Sequence, residues 1–394
     1  MNESENGTLV PLGRDYPELR DGVKRICQDF PLEYWARLDR ERAYPTEFVK
    51  ALTEAGYLAA LIPEEYGGAG LPLRAAAVIL EEINRNGGNA TQAHAQMYVM
   101  GTVLRHGSEE QKRRILPRVA SGELRLQAFG VTEPTSGSDT TRIRTTAVRQ
   151  GDEYVINGQK VWTSRALHSD LMLLLARTTP LDQVQKRTHG LSVFIVDLKE
   201  NLGKTVEIRP IDAMINHNTT EVFFENLRVP VENRIGEEGQ GFKYILSGMN
   251  AERILVATEL VGDTHWFIET ATRYANERVV FGRPIGQNQG IQFPIARCYA
   301  ELESADILAR RAAALFQDGK DCGTAANVAK LIASEASWHA AEACMQTFGG
   351  FGYAAEYHVE RRWREARLAQ IAPVSTNMVL SYIAQHVLGL PRSY

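Results

Sequence analysis

The spacing of apolar residues changes twice along the chain, and each change marks a boundary. Up to about residue 125 the apolar positions recur with a helical period. In "PTEFVKALTEAGYLAALIP", Phe48, Leu52, Gly56, Tyr57, Ala60 and Leu61 fall on one stripe. In "GSEEQKRRILPRVASGE", Ser108 followed by Gln111 makes a capping box, which starts a further helix. Between about 126 and 237 the period shortens to two, in runs such as "DEYVINGQKVWTS", "LMLLLART", "LSVFIVDL" and "TEVFFENLRVP". Asn157-Gly158 offers the two positive-φ positions of a tight turn, which predicts a hairpin pairing 153–156 with 160–164. From about 238 the helical period returns in long stretches separated by the polar turns "GRPIGQNQG" and "DGKDCG", the pattern of an up-and-down bundle. The chain is expected to be mainly α with a β domain: a helical domain at 1–125, a β domain at 126–237 and a helical bundle at 238–394.

Composition narrows the classes of partner. The 394 residues exceed what one core supports, so several packed units are expected. A formal charge of -4, with 44% hydrophobic and 23% charged residues, offers no basic face for nucleic acid or an anionic membrane surface. No apolar run approaches the ~20 residues that cross a bilayer. The first residues, "MNESENGTLVPLG", are polar and acidic without a charged-then-apolar leader, which points to the cytoplasm. Cys27, Cys298, Cys322 and Cys344 are scattered, with no C-x-x-C pair, so they are expected to be reduced structural thiols and no metal is expected.

Candidate chemistry gathers in the β domain. "AFGVTEPTSGSDTTRIRT" is a Gly/Ser/Thr-rich loop after an apolar stretch, and Trp162 follows in "GQKVWTS". Small hydroxyls, free backbone N–H groups and an indole can hold a flat polar heterocycle by hydrogen bonds and stacking. An ordinary loop beside a core tryptophan accounts for the same residues.

"VTEPTSGSD" resembles the T-E-P-x-x-G-S-D signature of the acyl-CoA dehydrogenase family of flavoproteins. "KVWTS" resembles the family's flavin-side strand, "ERVVFGRPIGQNQGIQFPIA" its R-x-x-F-G…F-Q-x-x-Q segment, and "QTFGGFGYAAEYHVERRWREAR" its Q-x-x-G-G-x-G-Y…R-x-x-R-(D/E) segment. These motifs occur in the family's order, and the resemblance covers nearly the whole chain. It implies an N-terminal helical domain, a middle β-barrel and a C-terminal four-helix bundle, assembled as a homotetramer or dimer with one FAD per subunit. Phe129, Val131 and Thr132 are then expected to line the flavin, Trp162 to pack on it and Ser164 to place a hydroxyl near N5. Arg278, Phe281 and Gln289 are expected to hold the FAD pyrophosphate and adenosine, joined across a subunit interface by Gln346, Gly349 and Gly350. Ser375 borders the flavin, while Ser138 and Arg253 are expected on the acyl-CoA. The implied reaction is α,β-dehydrogenation of an acyl-CoA thioester in fatty acid metabolism, with electrons passed to an electron-transfer flavoprotein. Three alternatives share the fold: a dehydrogenase of carrier-protein thioesters, a flavin monooxygenase or oxidase, and a non-catalytic flavin-binding relative.

The reaction needs a carboxylate base. Where many relatives carry it in a loop reading I-Y-E-G-T, this chain has Ile371-Ala372-Pro373-Val374-Ser375. Isovaleryl-type members supply the glutamate instead from the first long helix of the C-terminal domain. The matching residue is Glu252, followed by Arg253, with Glu259 two turns on as fallback. Proline also removes a backbone donor that relatives aim at the thioester carbonyl, and the Val374 N–H is the expected substitute. The same proline disfavours helix at Ala372 and lets Ser375 cap the next one. Ala372, replacing a tyrosine common in relatives, should leave room for a branched or ring-bearing acyl group.

Overall fold

The structure, a computed structural model, describes residues 11–392. The polar leader thus falls largely outside the described residues. Two compact units divide the chain. The first takes Met1–Glu41, Pro72–Ala90 and Asn250–Tyr394, and the second Arg42–Leu71 and Thr91–Met249.

In the second unit, helices α3 (Thr46–Glu54), α5 (Thr91–His106) and α6 (Glu109–Ser121) accompany strands β1 (Leu126–Gly130), β2 (Thr146–Gln150), β3 (Glu153–Ser164), β4 (Leu171–Arg177), β5 (Leu191–Asp197), β6 (Val206–Pro210), β7 (Thr219–Pro230) and β8 (Arg234–Ile235). A single turn, α7 (Leu198–Asn201), follows β5. The capping box forms as expected: the Gln111 N–H donates to Ser108 Oγ at 3.1 Å and the Ser108 N–H to Gln111 Oε1 at 2.9 Å. Helix α3 ends sooner than its stripe suggested, because Gly56 takes a left-handed φ of 78°. Beyond that break Leu58 and Ile62 turn inward in place of Gly56 and Leu61.

The strands form one sheet in the order β6-β7-β3-β2-β4-β5-β8, with β1 parallel to β4. It is not the closed barrel the resemblance implied. β8 offers two residues of ladder and β6 runs into Pro210, so neither edge is joined to the other. The expected hairpin at Asn157-Gly158 is also absent, since β3 runs straight through both residues and pairs along its length with β7. Asn157 uses its side-chain oxygen to accept from the Asn226 N–H at 2.8 Å. Gly158 is required for close approach, because a Cβ there would lie 2.5 Å from Thr145 Oγ1. The tight turn is Gly151-Asp152, joining Gln150 of β2 to Glu153 of β3, with Gly151 at φ 63°.

β4 and β5 bury both faces, which explains their unbroken apolar runs. Leu171, Leu173 and Leu175 join a core with Val99, Val103, Leu116 and Val119 of α5 and α6. Met172, Leu174 and Ala176 join a second core with Tyr154, Ile156, Val222 and Phe224 of β3 and β7.

The first unit contains α1 (Pro17–Gln28), α2 (Leu32–Glu41), α4 (Leu73–Arg85), the part of α8 (Gly241–Glu277) from Asn250 onward, α9 (Gln289–Gln317), α10 (Gly323–Phe348), α11 (Val359–Leu368) and α12 (Thr376–Tyr382). A two-residue hairpin, β9 (Val279–Val280) and β10 (Arg283–Pro284), separates α8 from α9. Trp266, Phe267, Cys298, Cys344, Phe348 and Val359 pack a common core. All four cysteines are buried and unpaired with one another. Among the described residues no helix is long and apolar enough to cross a membrane.

Burial, then Arg165 and His94, push the His217 imidazole of the second unit from 6.5 down to about 3. A depressed imidazole keeps its stabilising contribution above pH 6.5 and loses it as pH falls toward the folded value, because only the unfolded chain readily takes the proton. Melting temperature should therefore fall more steeply below pH 6.5 in the native protein than in His217→Gln, which a pH series of thermal melts reads directly.

Candidate active site

In the second unit, Phe129, Val131, Thr132, Trp162 and Ser164 are brought to one place by the loop after β1 and by a bulge in β3. Lys160 pairs with Val222 and Thr163 with Thr220, so Val161 and Trp162 together oppose a single residue of β7. The Val161 N–H instead donates to Thr132 O at 2.9 Å. Trp162 sits in the bulge at φ 59° with 60% of its surface exposed. Ser164 lies two residues on with a half-buried hydroxyl that has no partner among the described residues. The Phe129 ring packs edge-on to Tyr98 at 5.9 Å. Ser138 stands apart on the exposed turn that Ser136 Oγ closes by donating to Asp139 O at 2.6 Å.

Glu133 and Lys160, which sequence reasoning passed over, anchor this loop. The fully buried Lys160 ammonium donates to Glu133 Oε1 at 2.8 Å and to Val131 O at 3.0 Å. Glu133 accepts further bonds from the N–H groups of Arg144 and Thr145 at 2.6 and 2.9 Å. Burial lowers the Lys160 ammonium to about 8, while Glu133 opposes the fall. Burial likewise works against the Glu133 carboxylate, yet Lys160 and these bonds hold it below its ordinary value. The signal was in the alternation: Lys160 falls in the inward register of Tyr154 and Ile156, where a cation needs a buried partner.

In the first unit, Glu252 is 9% exposed on α8, beside Arg253. Arg253 Nη1 donates to Asn250 Oδ1 at 3.1 Å, and its buried Nε has no hydrogen-bond partner among the described residues. Burial lowers this guanidinium, with Glu252, Tyr382 and Cys322 opposing. Lys330 of α10 has no surface in solvent and donates to the carbonyls of Ala369 and Val374, each at 2.6 Å. Burial and then Arg253 push its ammonium down to about 8, against the pull of Glu252. Lys330 thus stands between the helix carrying Glu252 and the loop carrying Pro373. Glu259, two turns on, acts electrostatically on Asp263, which bonds Arg362. The loop breaks the helices at Pro373, and Ser375 Oγ caps α12 by accepting from the Met378 N–H at 3.4 Å.

The remaining predicted residues cluster at the surface of the first unit. Phe281 occupies the tip of the β9–β10 hairpin at φ 51°, fully exposed. Arg278 lies at the hairpin's base with its guanidinium 5.4 Å from the Phe351 ring, and Gln289 opens α9. Gln346 occupies the last turn of α10 and accepts the Gly349 N–H through its carbonyl. Gly349 takes φ 59° with open space over its Cα, and Gly350 is equally uncrowded.

Residues 14–123, 128–227 and 239–388 match the acyl-CoA dehydrogenase N-terminal, middle and C-terminal domains. The chain belongs to the acyl-CoA dehydrogenase family. An acyl-CoA dehydrogenase of Bacillus subtilis is 36% identical over 374 residues, covering 93% of this chain and 97% of that protein. A glutaryl-coenzyme A dehydrogenase in complex with glutaryl-CoA has a TM-score of 0.90 at 31% identity, covering 98% of both chains. A prolyl acyl carrier protein oxidase, AnaB, has a TM-score of 0.88 at 25% identity, covering 99% of this chain and all of the other.

Acyl-CoA dehydrogenases are FAD-dependent oxidoreductases, and the residues present fit that cofactor. An exposed indole and a free hydroxyl share one side of β3, while the N–H groups of Val131 and Thr132 have no acceptor among the described residues. Gly349 and Gly350 leave backbone open to close approach by a phosphate.

Proposed function

We propose that this chain dehydrogenates an acyl-CoA thioester to its 2,3-enoyl-CoA, with Glu252 as the base and an electron-transfer flavoprotein as acceptor. The observation that carries this is the placement of a buried carboxylate, Glu252, beside the lysine that grips the Pro373 loop, where the loop itself has no acid. Bound FAD supplies the acceptor for the β-hydride. Phe129, Val131, Thr132, Trp162 and Ser164 hold its ring system, and Ser375 borders it. Arg278, Phe281 and Gln289, with Gln346, Gly349 and Gly350, hold its pyrophosphate and adenosine across a subunit interface. The complete exposure of Phe281 supports a homo-oligomer, because a large apolar ring left in water calls for a covering surface. Ser138 and Arg253 contact the acyl-CoA, and the unpartnered Arg253 Nε is available to it. Glu252 takes the α-proton. Four buried, unpaired cysteines favour a reducing compartment, here the cytoplasm.

Ala372 is half-buried within the loop, and its small side chain is proposed to admit branched or ring-bearing acyl groups. Ala372→Tyr should cut kcat/KM for a branched acyl-CoA about 10-fold or more relative to a straight chain of equal length, the scale of one or two methylenes in a pocket. Equal turnover of both by the native protein would contradict it. A carrier-protein thioester is the second proposal, favoured by the likeness to the acyl carrier protein oxidase over 99% of this chain. Side-by-side flavin reduction by CoA and carrier thioesters of one acyl group separates the two.

A further inference from the structure

A buried lysine beside the loop that lacks its acid has no bonded carboxylate to account for it. Lys330 forms no ion pair among the described residues and exposes none of its surface. Burying an ammonium in that way is costly, and a methionine would fill the same volume without the charge. The whole hydrogen-bonding capacity seen for Lys330 goes instead to two main-chain carbonyls, Ala369 O and Val374 O, which lie on either side of Pro373.

Much of the loop's backbone is already committed, the Val374 and Ser375 N–H groups excepted. The N–H groups of Ile371 and Ala372 both donate to Leu368 O, at 2.8 and 3.0 Å, and the Thr376 N–H donates to Gln370 O at 3.0 Å. Pro373 has no N–H. The Val374 N–H is the first main-chain donor after the proline and has no acceptor among the described residues. Lys330 fixes the carbonyl of that same residue, and so restricts the orientation of Val374 while pinning the near end of the loop at Ala369.

We infer that Lys330 is the positioning residue of this loop: its grip on the Ala369 and Val374 carbonyls holds the Val374 N–H as the donor to the substrate's thioester carbonyl, in place of the one Pro373 lacks. This rests on the proposed dehydrogenation. A donor aimed at the carbonyl stabilises the negative charge that develops there as Glu252 removes the α-proton, and losing one such donor costs about 10²- to 10³-fold in rate. Lys330 touches no substrate atom. Its loss should lower the chemical step while leaving ground-state binding nearly intact, because binding area is unchanged and only the aim of the donor is relaxed.

The test uses the full-length, FAD-loaded protein. In anaerobic stopped flow with the best acyl-CoA thioester, Lys330→Gln should lower the limiting rate of flavin reduction by roughly 10²-fold with little change in the half-saturating concentration. A conjugated aromatic enoyl-CoA, whose absorption moves to the red when its carbonyl accepts hydrogen bonds, should bind the variant with a smaller red shift than the native protein. Should Lys330→Gln not fold, amide exchange in the native protein decides: the Val374 N–H should be protected by an acyl-CoA thioester and not by CoA alone. A native rate and red shift in Lys330→Gln, or no thioester-dependent protection of Val374, would overturn the inference. Failure of the dehydrogenase assignment is a different result, in which no thioester reduces the flavin of the native protein.

Discussion

Glu252→Gln should retain FAD, bind acyl-CoA and fail to reduce the flavin at a useful rate. The substitution keeps the side chain's size and removes its capacity to accept a proton. General-base contributions are about 10²- to 10⁴-fold, so reduction measured anaerobically in stopped flow should fall by at least the lower figure. Glu259→Gln is the matched control. Both glutamates are buried on α8, 9% and 8% exposed, yet only Glu252 acts electrostatically on Lys330 and Arg253 beside the Pro373 loop, whereas Glu259 acts on Asp263. Loss of reduction in Glu259→Gln with retention in Glu252→Gln would move the base by two helical turns. Glu252→Asp should fall between, since it keeps the charge and withdraws it by one methylene.

The largest effect on stability is expected at Glu133→Ala. That change leaves the Lys160 ammonium buried with a single backbone acceptor and strands the N–H groups of Arg144 and Thr145. Removing one partner of a buried pair costs about 3–5 kcal/mol, which denaturant unfolding of the second unit's signals would detect. The same change should weaken FAD retention, because Lys160 also holds the Val131 carbonyl and so the loop that carries Val131 and Thr132. A double variant, Glu133→Leu with Lys160→Met, should recover much of the stability, since the penalty arises from the stranded charge. Full stability in Glu133→Ala would mean that water reaches Lys160.

The period changes near residues 125 and 238 were enough to place helices, then strands, then helices, and the long-range order of the motifs was enough to place the family. Details decided by distant partners were not legible. Asn157-Gly158 has the composition of a tight turn, but β7 pairs with β3 throughout, and the turn forms at Gly151-Asp152. Sheet closure depends on how much free ladder the edge strands expose, and a two-residue β8 cannot be anticipated from apolar spacing. Pro373 and Ser375 were readable as a break and a cap because both act through local geometry. Lys330 was not, because its partners, Ala369 and Val374, are 39 and 44 residues away and offer only carbonyls, which every residue has. The Trp162 bulge was hidden for the same reason: it exists because the Val161 N–H leaves its ladder for the Thr132 carbonyl.

The measurement that tests the central claim most directly is anaerobic mixing of the purified FAD-loaded protein with a panel of straight, branched and ring-bearing acyl-CoA thioesters, following the oxidised flavin band and the product together. The predicted result is loss of that band with at least one thioester, accompanied by one equivalent of the corresponding 2,3-enoyl-CoA per flavin. An unchanged band with every thioester, CoA- and carrier-bound alike, in protein that retains its FAD would contradict it.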